Sequence, residues 1–479
     1  MAEGDVGTIP DNDAFKFWKT TLKAAKFILA PMVDQSELAW RLLSRRHNAH
    51  LCYTPMFHAQ NFVNDAIYRR DNFQTCAEDR PLIVQFCAND PNTFAKACQL
   101  VENDCDAVDL NLGCPQTIAK RGHYGAFLQD EWSLIEGLVK SAKEKVRVPI
   151  CCKIRVFDCT ERTIQYAKML EKAGCQFLVV HGRTRDQKGR NTGVADWSKI
   201  KAVKEAVSIP VIANGNIQYY ADLQRCLNET GAHGIMSAEG NLHNPYIFED
   251  RPDLPACWEP ALEYLDLVDQ YPCSMTFVRG HLFKLFHFCM LKYTDLREKM
   301  AVASTLDDCR SVALELKSRT QEEHASYLER LKSEGNVNTS CDMEYFWLCR
   351  PYEQDNPSTS NQTDNNKDQI TSDSKRQILA IKRKHQEEVE RLSEQYGLSK
   401  NKAKKLMRFP SKNPQNMVNN NESKKPAYNK CLCGNPLSID RSHNSGLCQM
   451  LLKSEADKNY DKDVNLRVRC TLLDCHEFD

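Results

Sequence analysis

Residues 107–114, AVDLNLGC, read as one strand that is apolar on both faces and stops at a glycine, a cysteine and Pro115. A continuous run of this kind fits a strand covered on both sides, as in a parallel sheet wrapped by helices, because a half-solvated strand would alternate. Seven comparable runs flank it: FILAPMV (27–33), LCYTPMFH (51–58) and LIVQFCA (82–88) before, then ICCKIRV (150–156), FLVVHGR (177–183), PVIANGNI (210–217) and GIMSAEG (234–240). They start about 30 residues apart, the length of one strand with its crossover helix. The stretches between them carry helix signals. In TERTIQYAKMLEKA (160–173) Thr160 is placed to cap the start and Gly174 to end the helix, and Asp196 is placed to cap a helix over 197–206. Eight such units predict an α/β fold, a closed (β/α)8 TIM barrel over 20–250, in preference to an open doubly wound sheet.

Beyond about residue 250 the strand signals stop. ALEYLDLV (261–268), FVRGHLFKLFHFCMLK (277–292) and a charged amphipathic stretch (305–333) predict an all-helical domain over 258–335. Residues 351–374 offer almost nothing to bury and read as a disordered linker. The chain is neutral as a whole, with 64 Lys and Arg against 64 Asp and Glu, yet 375–425 holds 14 basic against 5 acidic residues. That basic, helical segment is either a solvated surface or a sequence-blind anchor for phosphate backbones. No run of about 18 apolar residues argues for a membrane span. The N-terminus has neither a basic nor an apolar leader region, so a cytoplasmic or nuclear protein is expected. Twenty-two cysteines in such a chain predict reduced thiols over a disulfide scaffold.

In a barrel, chemistry sits where strands end. Gln85, Asn111, Cys114, Lys153, Arg155, His181, Arg183 and Asn214 all fall at that edge, and as a set they are hard to explain as core. Asn214-Gly215-Asn216 and Ala238-Glu239-Gly240 follow the last two strands, where backbone N–H groups commonly receive a phosphate, although NGN is equally a tight turn. Lys153 would neutralise an anion there, or act as a Schiff-base amine. Cys114, between Gly113 and Pro115, is a candidate nucleophile or proton donor.

NLGCPQTIAKRGHYGAFL (111–128), with APM (30–32), CKIR (152–155), HGRTR (181–185) and ANGNI (213–217), closely resembles the tRNA-dihydrouridine synthases over about residues 15–330. VDQSELAWR (33–41) and QFCAND (85–90) are most similar to the eukaryotic branch acting at positions 16 and 17 of the tRNA D-loop. The resemblance implies an FMN-bearing barrel, NADPH as reductant, and a helical tRNA-binding domain. It places Pro31, Met32 and Val33 beside the isoalloxazine ring, Gln85 and Lys153 at its polar edge, and His181 near the ring and ribityl chain. Asn214, Gly215, Asn216, Ala238, Glu239 and Gly240 would hold the phosphate; Glu239 departs from the Gly-Arg common elsewhere in the family and cannot itself donate to a phosphate. Hydride would pass from flavin N5 to uracil C6, with Cys114 as the general acid that protonates C5.

The base must leave its stack to enter a barrel mouth. Asn111, Lys120, Arg121, Tyr124, Arg155 and Arg183 are the expected substrate contacts, and Arg279, His281, Lys284 and His287 would extend a basic face on the helical domain. In the tail (426–479), Cys431, Cys433, Cys448 and Cys470 suggest a zinc knuckle, against loosely folded thiols. A monomer is expected. The competing functions are a flavin barrel acting on a free pyrimidine, a Schiff-base aldolase, and a non-catalytic RNA-binding protein.

Overall fold

In the computed structural model, which describes residues 12–333, 345–352 and 390–396, every one of the eight apolar runs contains a strand. In chain order the strands are β1 (Phe27–Leu29), β2 (Leu51–Tyr53), β3 (Phe57–His58), β4 (Leu82–Cys87), β5 (Ala107–Leu112), β6 (Ile150–Arg155), β7 (Leu178–His181), β8 (Val211–Asn214) and β9 (Gly234–Ser237). All pairings are parallel. β1 pairs with β9 through Ile28 and Met236, and β2 pairs with β4 through Tyr53 and Ile83, which closes an eight-stranded ring. The short β3 lies outside that ring, beside the end of β4.

Alternation is hidden inside the apolar runs because both faces of each strand are buried. Val108, Leu110 and Leu112 face the helices, whereas Ala107 joins Tyr53, Ile83, Cys151, Phe177, Val179, Ile212 and Met236 in the barrel interior. Trp18 also joins that interior cluster, from the helix Asp13–Thr20, and meets Phe177 edge-on at 5.8 Å. This helix has no counterpart in the eight-unit pattern. Asn12 starts it, its side chain accepting from the Phe15 N–H.

The helix Trp197–Ala206 starts where expected, Asp196 accepting from the Ser198 and Lys199 amides. The helix Thr160–Ala173 ends at Gly174 in the left-handed region, φ 109°, but Thr160 is its first residue, not its cap. Thr163 ties that end instead, accepting from the Phe157 N–H and donating to the Cys159 carbonyl.

After the barrel come Trp258–Gln270, Met275–Leu285, His287–Lys292, Thr294–Val302 and Leu306–Ser333. The chain then returns over them at 345–352, where Leu348 bridges Ala256 and Trp347 is 6% exposed. The expected basic face is corrected here. His281 is fully buried, stacked on Trp40 at 3.9 Å and bonded to Glu37, and Arg279 donates to the Ala303 carbonyl. His281 joins the helical domain to the barrel, and Arg279 ties two segments of the helical domain together. Of the segments after 352, only a helical turn at 390–396 is described, so the linker, most of the basic segment and the cysteine-bearing tail lie outside the described residues. Every described cysteine is free, and no described helix is long and apolar enough to cross a membrane.

Candidate active site at the barrel mouth

The strand ends of β1 and β4 through β9 converge on one cleft enclosing about 1150 Å³, its open mouth included. Its walls hold Pro31, Met32 and Val33 after β1, Gln85 on β4, Asn111 and Cys114 at the end of β5, and Lys153 and Arg155 on β6. His181 and Arg183 follow on β7, with Asn214, Gly215 and Asn216 after β8 and Ala238, Glu239 and Gly240 after β9. Three of the expected substrate contacts are not among the residues that line the cleft. Lys120 and Arg121 are exposed on the helix Thr117–Gly122 and do not line the cleft. Tyr124 is only 5% exposed: it packs behind Cys114 with Cys87 and Ala119 and meets His58 edge-on, so its ring is not an open platform for a base. A tyrosine next to two glycines reads as exposed loop, and its burial depends on the strand ends packed around it.

Cys114 is held from several sides. Asn111 Oδ1 accepts from the Gly113 and Cys114 amides at 3.1 and 2.9 Å, and the Cys114 carbonyl accepts from the Ala126 N–H. Arg155, 1% exposed, donates to the carbonyls of Gly113, Thr184 and Gln187. It therefore joins the Cys114 loop to the loop after β7 while lining the cleft. Lys188, which the sequence reading missed, donates to the Pro115 carbonyl at 2.6 Å. Burial pushes the Cys114 thiol above its ordinary value; the Gln116 amide and the charges of Arg155, Lys153 and Lys188 offset only part of this. The group is thus an uncharged S–H near neutrality, suited to giving a proton and poorly suited to acting as a thiolate.

Lys153 lies across the cleft, bonded to Asn214 Oδ1 at 2.9 Å. Burial and then the nearby Arg155 push its ammonium down to about 8, Asp109 and Cys114 pulling the other way. His181 is driven well below its ordinary value by burial and by Arg155, Lys153 and Arg183, so it is a neutral imidazole. Its Nε2 accepts from Arg183 at 3.2 Å. Arg183 also donates to Asn216 Oδ1 at 2.7 Å, which sets it against the β8 turn. Gly215 permits this corner: its φ is +111°, and a Cβ there would come within 2.7 Å of the Ala195 Cβ and 3.0 Å of the His181 ring.

These features fit a flavin mononucleotide. A part-buried cation at the cleft favours an anionic partner, two glycine-containing turns line the same cleft, and Arg183 beside Asn216 supplies the positive charge that Glu239 cannot. No group of described residues is arranged to hold a metal ion, and Cys431, Cys433, Cys448 and Cys470 lie outside the described residues.

A closed parallel barrel whose thiol, half-buried cation and glycine turns meet in one cleft at the carboxyl ends of its strands defines a (β/α)8-barrel enzyme. The family model "Dihydrouridine synthase (Dus)" matches residues 28–306, and the chain belongs to that family. It is 52% identical over 431 residues to a Mus musculus protein named a tRNA-dihydrouridine(16/17) synthase, NAD(P)(+)-like, covering 89% of this chain and 85% of that one. A Saccharomyces cerevisiae tRNA-dihydrouridine(16/17) synthase is 48% identical over 288 residues, covering 57% of this chain and 68% of the yeast one. A Homo sapiens tRNA-dihydrouridine(20a/20b) synthase-like protein is 36% identical over 277 residues, or 57% of this chain and 84% of the relative.

Proposed function

We propose that this chain reduces uridine to 5,6-dihydrouridine in the D-loop of tRNA, at positions 16 and 17, with FMN in the barrel mouth and NAD(P)H as reductant. The observation that carries the reading is the meeting of an uncharged Cys114 thiol and the half-buried Lys153 amine in one cleft of a dihydrouridine synthase barrel. When bound, FMN supplies the transfer of hydride from the nicotinamide to the pyrimidine.

The chain's own residues do the rest. Lys153 with Gln85 holds the polar edge of the cofactor, and Pro31, Met32 and Val33 border its ring. Asn214 to Asn216 and Ala238 to Gly240 present backbone N–H groups to the phosphate, with Arg183 adding charge. Hydride gain at C6 leaves an enolate-like pyrimidine, and Cys114 Sγ gives its proton to C5; the resulting thiolate is reprotonated from water. The cations around Cys114 stabilise that transient charge. The helical domain and the basic 375–425 segment hold the RNA.

The test uses purified full-length protein. A flavin absorption band near about 450 nm, with NADPH-dependent dihydrouridine formation at positions 16 and 17 of tRNA and none on free uridine, supports the reading. A colourless protein that takes up no FMN, or one that reduces only the free pyrimidine, refutes it.

A further inference from the structure

Asp109 lies on β5 two residues before Asn111, fully buried and outside the cleft lining. It is an acid in the middle of an apolar strand, and the mechanism above does not use it. Its Oδ2 accepts from Gln85 Nε2 at 2.9 Å. Gln85 Oε1 in turn accepts from Asn111 Nδ2 at 2.9 Å, which leaves Asn111 Oδ1 for the amides of Gly113 and Cys114. Four hydrogen bonds thus all donate in one direction, from the Cys114 turn toward Asp109 in the barrel interior.

Each carboxamide in this series can be turned end for end, since it carries an acceptor on one side and donors on the other; a carboxylate offers acceptors only. Turning Gln85 would set its oxygen against Asp109 and its NH2 against the NH2 of Asn111. Turning Asn111 as well would then point its NH2 at two backbone N–H groups. We propose that Asp109 is a positioning residue for Cys114: its fixed acceptor character sets the direction of the Gln85–Asn111 relay and so holds the turn that presents the thiol.

The groups facing Asp109 agree with a carboxylate under constraint. Tyr53 on β2 and Cys151, Cys152 and Lys153 on the adjacent β6 are its ionisable neighbours, Cys151 lying directly beside it in register. Burial pushes its carboxyl up to about 7, and the Gln85 bond and the Lys153 charge pull it back only part of the way. Asp109 Oδ1 has no hydrogen-bond partner among the described residues, so among them the Gln85 contact alone engages this acid through a hydrogen bond. The functional consequence rests on Cys114 being the proton donor, whereas the relay itself does not.

Amide hydrogen exchange, resolved by residue in the full-length protein at about pH 8, where the carboxylate prevails, tests the proposal. Asp109→Asn keeps the shape but offers Gln85 either an oxygen or an NH2. The Gly113 and Cys114 amides are expected to exchange at least about tenfold faster, with the Leu110 and Leu112 amides of β5 unchanged. In the double variant Asp109→Asn with Gln85→Glu, residue 85 becomes the acceptor for both neighbours, and protection at 113 and 114 returns. Unchanged protection in Asp109→Asn, loss spread over the whole of β4 to β6, or no recovery in the double variant would each overturn the proposal. Single-turnover reduction of tRNA by the prereduced holoenzyme separates the two levels. If exchange behaves as stated while Cys114 proves dispensable, the relay stands and the reading of Cys114 as acid falls.

Discussion

Glu37 and His281 join the helical domain to the barrel through a pair that can be cut without touching the cleft. Glu37 precedes the helix Leu38–Arg46 and is 8% exposed; Tyr264 donates to its Oε1 at 2.7 Å, and His281 Nε2 lies 3.0 Å from its Oε2. Burial alone would push the Glu37 carboxyl up, but the attraction and hydrogen bond of His281 and the Tyr264 bond outweigh it and leave the group below its ordinary 4.5. Glu37→Gln keeps an oxygen for Tyr264 but removes the charge facing His281, a loss of about 1.5–3 kcal/mol for a charge-assisted hydrogen bond. His281→Ala strands the carboxylate and removes the Trp40 stack, so about 3–5 kcal/mol is expected. The double variant should cost less than the sum by about 1–3 kcal/mol.

The assay is urea denaturation across pH. With the folded-state value lowered, the contribution is fully present above 4.5 and disappears as pH falls through the folded value. The gap between wild type and Glu37→Gln must therefore close on acidification. Because the pair orients the helical domain against the mouth, KM for tRNA should rise while flavin reduction by NADPH is unchanged. A Glu37→Gln variant within about 0.5 kcal/mol of wild type at neutral pH, or a gap that persists unchanged into acid, would refute this account.

Four further outcomes can be checked. Cys114→Ala should keep FMN bound and reducible by NADPH while dihydrouridine formation falls about 10²–10⁴-fold, read by single-turnover assay. Gly125→Ala forces a side chain onto a φ of +65° and brings a Cβ within 2.8 Å of the Cys114 carbonyl, so tRNA reduction should fall while FMN affinity holds. Lys153 is cationic below about 8, and its lowered value means the unfolded chain holds that proton more tightly between about 8 and 10.5, so apo stability gains as pH rises through that window. FMN affinity moves in the opposite direction, weakening above about 8 in flavin-fluorescence titrations, and Lys153→Met flattens the dependence. Truncation after residue 374 removes the excess of basic over acidic residues in 375–425, and the fall of tRNA affinity with salt should become shallower.

The strands were legible because each is buried on both faces, so hydrophobicity alone marked all eight of the ring. The polar residues at their ends were legible for the complementary reason, since nothing in a core explains Lys153 or Asn214 there. What failed was everything decided by contacts distant in sequence. His281 and Tyr124 look like solvent-facing residues of a helix and a loop, and their burial follows from Trp40 and Glu37 in one case and Cys87 and Ala119 in the other. Arg155 stood out as a polar residue at a strand edge, but its bonds to three loop carbonyls could not be read from its position in the sequence. Asp109 was passed over as one polar letter in an apolar word. Its significance appears only when β4 sets Gln85 directly beside it in register.

The same cations favour the deprotonated form of both His181 and Cys114, whereas burial lowers the one and raises the other, and this limits what the site can do. Arg155 and Lys153 help to keep His181 neutral, so it can accept from Arg183 and pack against a ring without adding charge. Around Cys114 they favour the thiolate, but burial favours the thiol more, so the proton stays on sulfur until a stronger base arrives. A pyrimidine enolate is such a base, and once it has taken the proton the waiting cations stabilise the sulfur anion left behind. A nucleophilic cysteine would need the balance reversed before substrate binds, with the thiolate already formed at rest. Measuring the Cys114 alkylation rate against pH distinguishes the two: a rate that climbs only above the ordinary thiol range fits an acid held in reserve, and a plateau beginning below neutrality would require a nucleophile instead.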